Sequence, residues 1–334
     1  MRKIISFALF ILLGALFFYL FLYKSDLGKV WVHMKEARWG LLALGVLANL
    51  LSIMARVWRW RVFLTPAKRN ISWKTLTVAT FGGYFISTVL PGRLGEVIRP
   101  LYVAAREDIS RITCLTTAVV ERFLDIMTLL ILFGIYLACY RPDTTAYSLK
   151  MLMRVATFGI GGAILLFAAL FVLASSGSRI WMPKRLRPHF ESFRAGLQSL
   201  RGIRTAGMLI GTSILIWGLV ATNTWCVLWA FHLHLPWMTP FMLMAVSAVG
   251  FLIPTPGGVG GVHKAFQVGL VVFHGVDYNL ATAISIVGHL LAMGPLALVG
   301  MIAFAVSGVP LRDMLALAKP REAPGETPGN PEHP

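Results

Sequence analysis

Three charged residues follow a break in a long apolar segment of this sequence. Residues 91–99 read P-G-R-L-G-E-V-I-R, so a helix-breaking Pro-Gly pair precedes Arg93, Glu96 and Arg99. Such backbone is tolerated at membrane depth only where it is buried in protein or lines a cavity. A helix that begins near Leu94 directs unpaired N–H groups and the positive end of its dipole towards an anion, and arginine adds a bidentate donor. These residues predict a phosphate site in which Glu96 meets an arginine or a cationic headgroup, or else three charges that only stabilise one another.

The same pattern returns 165 residues later with fewer charges. Residues 256–264 read P-G-G-V-G-G-V-H-K, so glycines replace Arg93 and Glu96 while Lys264 stands opposite Arg99. Consecutive glycines expose N–H groups as in an anion nest, although plain hinges use them too. Paired breaks at corresponding places in two halves of a membrane protein favour a transport site. The predicted binding residues of this copy are Gly257, Gly258, Gly260, His263 and Lys264.

Glu121, Arg122 and Asp125 lie inside a third apolar segment, at residues 112–139. On a helix Glu121 and Asp125 share a face, and Arg122 is placed to pair with Asp125. Because charges at membrane depth are costly, they indicate function by default. We predict that they face the cavity, where the carboxylates contact a cationic group or relay a proton. Their place near one end of the segment leaves an interfacial position open.

Arginines and tryptophans alternate where the second apolar segment ends, since residues 55–61 read A-R-V-W-R-W-R. This mixture is typical of a membrane–water interface, so we predict an anchor there. Three polar residues within apolar segments are predicted to hydrogen-bond between helices: Asn49, Asn223 and His289.

The apolar segments predict an all-α polytopic integral membrane protein with about six transmembrane helices. The candidate spans are residues 4–23, 39–58, 112–139, 152–175, 206–231 and 280–306. Two further segments, 75–104 and 238–274, contain the Pro-Gly breaks. Each divides into a longer first arm and a second arm that is short for a crossing, so each is predicted to be a re-entrant helical hairpin. The two hairpins together predict an inverted repeat.

Charge bias orients these elements. Residues 56–74 carry six Lys or Arg and no acid, and residues 179–204 carry seven against one Glu. With both loops and both termini in the cytoplasm, as the positive-inside rule requires, the two hairpins enter from opposite faces. Residues 184–204 favour a basic amphipathic helix on the inner leaflet or a solvated connector. The transmembrane domain is predicted to span residues 1–310, and residues 311–334, rich in Pro and Gly, to be a disordered cytoplasmic tail.

The composition limits the classes of function. With 57% apolar residues and a net charge of +17, apolar runs leave no room for a large soluble catalytic domain. No nucleotide loop, nucleophile elbow, metal-ligand motif or nucleic-acid motif occurs, so we predict no enzyme, cofactor, metal or nucleic-acid partner. Three cysteines in apolar segments indicate neither a disulfide framework nor a zinc site.

Four motifs in order resemble a known family. They are A-R-V-W-R-W-R-V-F-L at 55–64, P-G-R-L-G-E-V-I-R at 91–99, E-R-F-L-D at 121–125 and P-T-P-G-G-V-G-G-V-H at 254–263. Together they are similar to the flippase-like family that includes the transmembrane domain of lysylphosphatidylglycerol synthases, the multiple-peptide-resistance proteins. The resemblance covers the chain to about residue 310 and implies an inner-membrane protein with re-entrant helices. The family's second motif commonly ends in Glu, and His263 occupies that position here, which replaces a carboxylate with a pH-sensitive imidazole.

The resemblance and the residues together predict translocation of a polar, phosphate-bearing lipid between leaflets. Its partners would be membrane lipids, either phospholipids or lipid-linked glycans, and a homo-oligomer is left open. Because the given sequence has no transferase domain after the membrane domain, we do not expect lipid synthesis. Two alternatives stay open: an ion-coupled transporter of a small solute, and an accessory protein or enzyme of lipid-linked glycan assembly.

Overall fold

The computed structural model describes residues 2–90, 93–140, 203–253 and 255–307, together with residues 161, 162, 165 and 191. Every regular element in these ranges is helical. The helices are α1 (Arg2–Leu22), α2 (Leu27–Lys35), α3 (Trp39–Leu64), α4 (Trp73–Val89), α5 (Leu94–Glu107), α6 (Arg111–Cys139), α7 (Ile203–Ala230), α8 (Thr239–Gly250), a 3-10 turn (Pro256–Gly258), α9 (Gly261–His274) and α10 (Tyr278–Ser307). The predicted all-α polytopic membrane fold is therefore confirmed.

Four of these helices, α3, α6, α7 and α10, are long and apolar enough to cross a membrane. They coincide with four of the predicted spans. The first predicted span corresponds to α1, which meets α2 at a bend of 86° between Leu9–Leu22 and Leu27–Lys35. The predicted span 152–175, the tail 311–334 and nearly all of the basic segment 184–204 lie outside the described residues.

Both predicted breaks separate a pair of short helices. The first lies between α4 and α5, of 17 and 14 residues, and the second between α8 and α9, of 12 and 14 residues. The expectation of a longer first arm is thus wrong for the second pair. The apolar pattern continues past Gly250, but Pro254 disfavours helix at the residues before it, so α8 ends early.

Each broken pair returns to the end of the molecule from which it starts. The Ser72 N–H, at the start of α4, donates to Glu107 Oε1, at the end of α5, over 3.2 Å. Likewise, Thr239 Oγ1 at the start of α8 lies 3.3 Å from His274 Nε2 at the end of α9. The two pairs therefore share one hairpin geometry.

A glycine crossing holds each hairpin together. A methyl group on Gly95 would overlap the Gly83 carbonyl of α4, and one on Gly250 would lie 2.5 Å from the Gly261 carbonyl oxygen. Only glycine permits backbones to approach so closely. The two breaks are therefore fixed in place by backbone contact near the tip of each hairpin.

Replacing Gly95 with alanine is expected to destabilise the protein by about 3 kcal/mol, because overpacking forces α4 and α5 apart. The matched control is Gly207→Ala on α7, where an added methyl group meets nothing within 4 Å. That control should be neutral or stabilising by about 1 kcal/mol. Thermal denaturation in detergent compares the two variants, and equal midpoints would contradict the close crossing.

One end of the molecule, here called the basic end, has a clear excess of described bases over acids. There α3, α5 and the starts of α4, α6 and α7 meet, and Lys68 Nζ contacts Glu107 Oε2 over 2.8 Å. The bases are Arg61, Lys68, Arg69, Lys74, Arg106, Arg111 and Arg204, against the acids Glu107 and Asp108. The opposite end joins α3 to α7 through the Arg38 N–H and the Ala230 carbonyl, 2.9 Å apart. Its described charges nearly balance: Lys24, Lys29, Lys35 and Arg38 against Asp26, Glu36 and Asp277.

The helix order repeats within the chain. Helices α3, α4, α5 and α6 are followed 164 to 167 residues later by the starts of α7, α8, α9 and α10. Their contacts repeat as well, since α4 packs on α5 and on α10, whereas α8 packs on α9 and on α6. The equivalent helices α3 and α7 pack against each other and make the most extensive described contact.

Candidate functional site

A cavity of about 640 Å³ lies where the two breaks meet. Its wall combines α4, the start of α5, the first half of α6 and the second break. Gly257 approaches Thr88 so closely that an added methyl group would lie 3.5 Å from that residue. The polar and charged lining residues are Thr80, Tyr84, Ser87, Thr88, Arg93, Glu96, Arg99, Arg122 and Thr255.

Helix α5 starts at this cavity, as the sequence predicts. Its N-cap residue, Arg93, adopts a left-handed backbone (φ 53°, ψ 36°), which turns the chain into the helix. The guanidinium group lies 4.5 Å from the centre of the Phe251 ring and 3.3 Å from Glu96 Oε1. Both side chains of this pair are about half exposed, so Arg93 bridges the two breaks at an accessible place.

Behind the cavity lies a buried cluster of four arginines and two carboxylates, here called the arginine cluster. Glu121 is 0% exposed and contacts Arg59 at 3.3 Å, Arg122 at 3.2 Å and also Arg99. Asp125 is 7% exposed, and three guanidinium groups surround it. They belong to Arg56 at 2.7 Å, Arg59 at 2.7 Å and Arg122 at 3.0 Å.

The cluster explains why Arg56 and Arg59 differ from the expected interfacial anchor. They are 8% and 0% exposed because the carboxylates of α6 face them across the helix interface. Of the same stretch, Trp58 is exposed, whereas Trp60 is buried and lies under the Arg99 guanidinium at 4.3 Å. The sequence carried a signal for this pairing, since arginines and carboxylates at helical spacing on two spans can face each other.

Three buried polar groups of the cavity wall have no hydrogen-bond partner among the described residues. They are Arg99 Nε, Thr80 Oγ1 and Ser87 Oγ. Buried polar atoms are nearly always paired, so each of these three groups calls for a partner such as an ordered water or a bound ligand. Reasoning from sequence missed Thr80 and Ser87, because hydroxyl residues in an apolar helix carry no distinctive spacing.

The second copy of the motif divides between two places. Gly257 and Gly258 line the cavity beside the first copy. Gly260 packs against Phe17 of α1. His263 is buried, and its ring centre lies 4.4 Å from that of His289. Its Nδ1 accepts a hydrogen bond from the Gly260 N–H. The structure therefore brings Gly257 and Gly258 to the cavity, but neither Gly260 nor His263.

Lys264 also lies away from the cavity wall. Its Nζ donates to Gln267 Oε1 over 2.7 Å and contacts the Tyr278 hydroxyl at 3.0 Å. Gln267 in turn donates to Thr282 Oγ1 over 2.6 Å, and that hydroxyl lies 2.9 Å from Ser25 Oγ. The cation of the second copy is thus tied to α10 and to the α1–α2 turn. Of the predicted interhelical polar contacts, Asn49 donates to the Ala292 carbonyl of α10 over 2.8 Å.

Glu107 fastens the first hairpin at the basic end. Burial raises the pKa of its carboxyl group, but hydrogen bonds from Lys68 Nζ and the Ser72 N–H outweigh burial and hold the pKa below its usual range. The stabilisation is therefore present above the unfolded pKa, near 4.3, and lost as the pH falls through the lower folded pKa. The Glu107→Gln variant is expected to be less stable than the wild type at pH 7, and this difference should shrink as the pH falls below about 4. Melting temperatures of the variant and the wild type between pH 7 and pH 3 test this expectation. A difference in melting temperature that does not change with pH would contradict it.

Comparisons with known proteins agree with this architecture. Residues 4–300 match the family model described as lysylphosphatidylglycerol synthase TM region. The chain is also similar to the UPF0104 membrane protein MJ1078 of Methanocaldococcus jannaschii, with 26% identity over 226 residues. That alignment covers 66% of this chain and 93% of the relative. The match extends through both hairpins and the arginine cluster, so this multi-pass membrane protein belongs to the lysylphosphatidylglycerol synthase transmembrane-region family.

Proposed function

We propose that this protein translocates a polar, phosphate-bearing lipid between membrane leaflets, and that it acts as a transporter and not as an enzyme. The observation that carries the proposal is the cavity at the meeting point of the two breaks. It offers the start of α5, Arg99, Arg122 and unpaired hydroxyl groups to one ligand. An anionic headgroup fits such a set of donors.

The two hairpins are best understood as re-entrant and oppositely inserted. The Ser72–Glu107 bond closes the first hairpin at the basic end, whereas the Thr239–His274 pair closes the second at the opposite end. His274 also lies 3.4 Å from the hydroxyl of Tyr136, near the end of α6. Together with the repeated helix order, these contacts support an inverted repeat, which is the usual architecture of alternating access.

Orientation follows from the charge distribution. The basic end is placed in the cytoplasm of a bacterial-type inner membrane, because Lys and Arg are retained on that side. The first hairpin then enters from the cytoplasm and the second from outside. We place both termini in the cytoplasm, because α1 and α10, of 21 and 30 residues, are each long enough to cross the membrane and meet near the opposite end, where Ser25 Oγ lies 2.9 Å from Thr282 Oγ1.

A lipid substrate is favoured over a soluble one by the apolar rim of the cavity. Val119 of α6 and Leu252, in the turn after α8, line the cavity and are 62% and 79% exposed. At these positions the cavity wall continues into the lipid-facing surface. A headgroup can therefore occupy the polar interior while its acyl chains stay in the bilayer.

The first test is mass spectrometry of lipids that copurify with the protein in mild detergent. Arg93→Ala removes a guanidinium group that lies over Phe251 at the cavity. The control is Arg106→Ala, an exposed arginine of α5 over the Tyr102 ring at 5.7 Å. The proposal expects one polar lipid enriched in the wild type and in the control but lost from Arg93→Ala. Bulk lipid in unchanged proportions in all three samples would contradict it and would favour the solute transporter.

A further inference from the structure

We propose that the ligand of this cavity is a dianionic phosphate, of the phosphomonoester class, and not a phosphodiester or a zwitterionic headgroup. This inference rests on the proposed function for the lipid nature of the ligand. The charge count and the unpaired donors of the cavity wall carry the choice of headgroup.

The arginine cluster is not neutral. Four guanidinium groups surround two carboxylates, which leaves a surplus of two positive charges. The neighbouring Arg93–Glu96 pair is balanced and does not change this surplus. Uncompensated charge is costly in a low-dielectric interior, so a bound counter-charge of two stabilises this arrangement.

The surplus is accessible from the cavity through two of the four arginines. Arg99 and Arg122 line the cavity, whereas Arg56 and Arg59 are held behind them by Asp125. Arg99 is 7% exposed and keeps its Nε unpaired, while the Arg122 side chain is 35% exposed. The net positive charge of the arginine cluster is therefore located at the cavity wall, on Arg99 and Arg122.

The unpaired donors match a terminal phosphate in number. Arg99 Nε, Thr80 Oγ1 and Ser87 Oγ are buried and unpaired among the described residues, and their side chains belong to the cavity wall beside the start of α5. A phosphomonoester presents three strong acceptor oxygens and close to two charges at neutral pH. A phosphodiester has only one negative charge, and an amine-bearing headgroup adds positive charge to a site that already has a surplus.

Binding of short-chain lipids tests the inference on the purified full-length protein. Dioctanoyl phosphatidic acid, phosphatidylglycerol and phosphatidylethanolamine share their chains and differ in headgroup charge. At pH 8 we expect phosphatidic acid to bind about tenfold more tightly than phosphatidylglycerol. One additional charge-assisted hydrogen bond lowers the dissociation constant by about that factor. The advantage should shrink as the pH falls below about 6, where a phosphomonoester takes up a proton.

Two variants change the positive charge around the cavity in opposite directions. Arg122→Gln lowers the surplus of the arginine cluster from two positive charges to one, while Glu121 and Asp125 keep their other arginines. The advantage of phosphatidic acid over phosphatidylglycerol should then fall to less than about threefold. Glu96→Gln releases Arg93 and should strengthen phosphatidic acid binding. Arg106→Gln, on the exposed face of α5, is the control and should change neither value.

The outcomes separate this inference from the function on which it rests. Equal binding of phosphatidic acid and phosphatidylglycerol overturns the dianionic class but leaves lipid translocation standing. Weaker phosphatidic acid binding in Glu96→Gln also overturns it. Glycerol 3-phosphate that binds as tightly as phosphatidic acid supports the dianion and contradicts the lipid as its source. Binding of none of these compounds overturns the inference.

Discussion

Replacing Glu121 with glutamine is expected to destabilise the folded protein by about 3–5 kcal/mol, the usual cost of breaking a buried ion pair from one side. The side chain is 0% exposed and meets three guanidinium groups. Glutamine keeps the shape but leaves the four guanidinium groups of the arginine cluster with Asp125 as their only carboxylate. The measurement is reversible unfolding by SDS in mixed micelles.

The matched control is Glu96→Gln, which makes the same chemical change on α5. Glu96 pairs with Arg93 at 3.3 Å, and both side chains are more than a third exposed, so the loss should be below about 1 kcal/mol. Equal losses in the two variants would show that the arginine cluster does not hold α3 and α6 together. A Glu121→Gln protein as stable as the wild type would contradict the buried cluster itself.

We expect Val119→Trp to slow lipid exchange between leaflets at least tenfold. A substrate that is held out of position commonly loses about that factor in rate or more. Val119 lies on the rim of the cavity and is 62% exposed, so a larger side chain blocks the opening without filling the core. The melting temperature should therefore stay within a few degrees of the wild type. Exchange of an acyl-labelled phosphatidic acid in proteoliposomes measures the effect.

Ile126→Trp is the control for this experiment. It lies two helical turns further along α6, is 54% exposed and does not line the cavity. The two variants therefore place the same large side chain on the same exposed side of one helix. Comparable rates for both would mean that the lipid does not enter past Val119.

The sequence was sufficient to place the breaks. Pro-Gly pairs end helices for local reasons, so the start of α5 at Leu94 and the break before α9 could be predicted from residues a few positions away. The same is true of the Arg122–Asp125 pair, which depends only on helical spacing. Such features need no knowledge of tertiary packing.

The partners of the charges could not be predicted in the same way. Arg99 stands three residues after Glu96, yet it pairs with Glu121 across the α5–α6 interface and stacks on Trp60. Lys264 corresponds to Arg99 by motif, but it faces Gln267 and Tyr278 because α10 offers no carboxylate there. Which helix lies opposite a side chain is decided by packing over long sequence distances.

The central claim is that the protein moves a lipid between leaflets, and the most direct test is exchange by the wild type in proteoliposomes. Acyl-labelled phosphatidic acid is quenched from outside with a membrane-impermeant reductant, with and without a proton gradient. The account predicts that the accessible fraction exceeds the outer-leaflet share in vesicles that contain protein, and that this excess grows with protein per vesicle. Accessibility equal to that of protein-free vesicles under both conditions would contradict it.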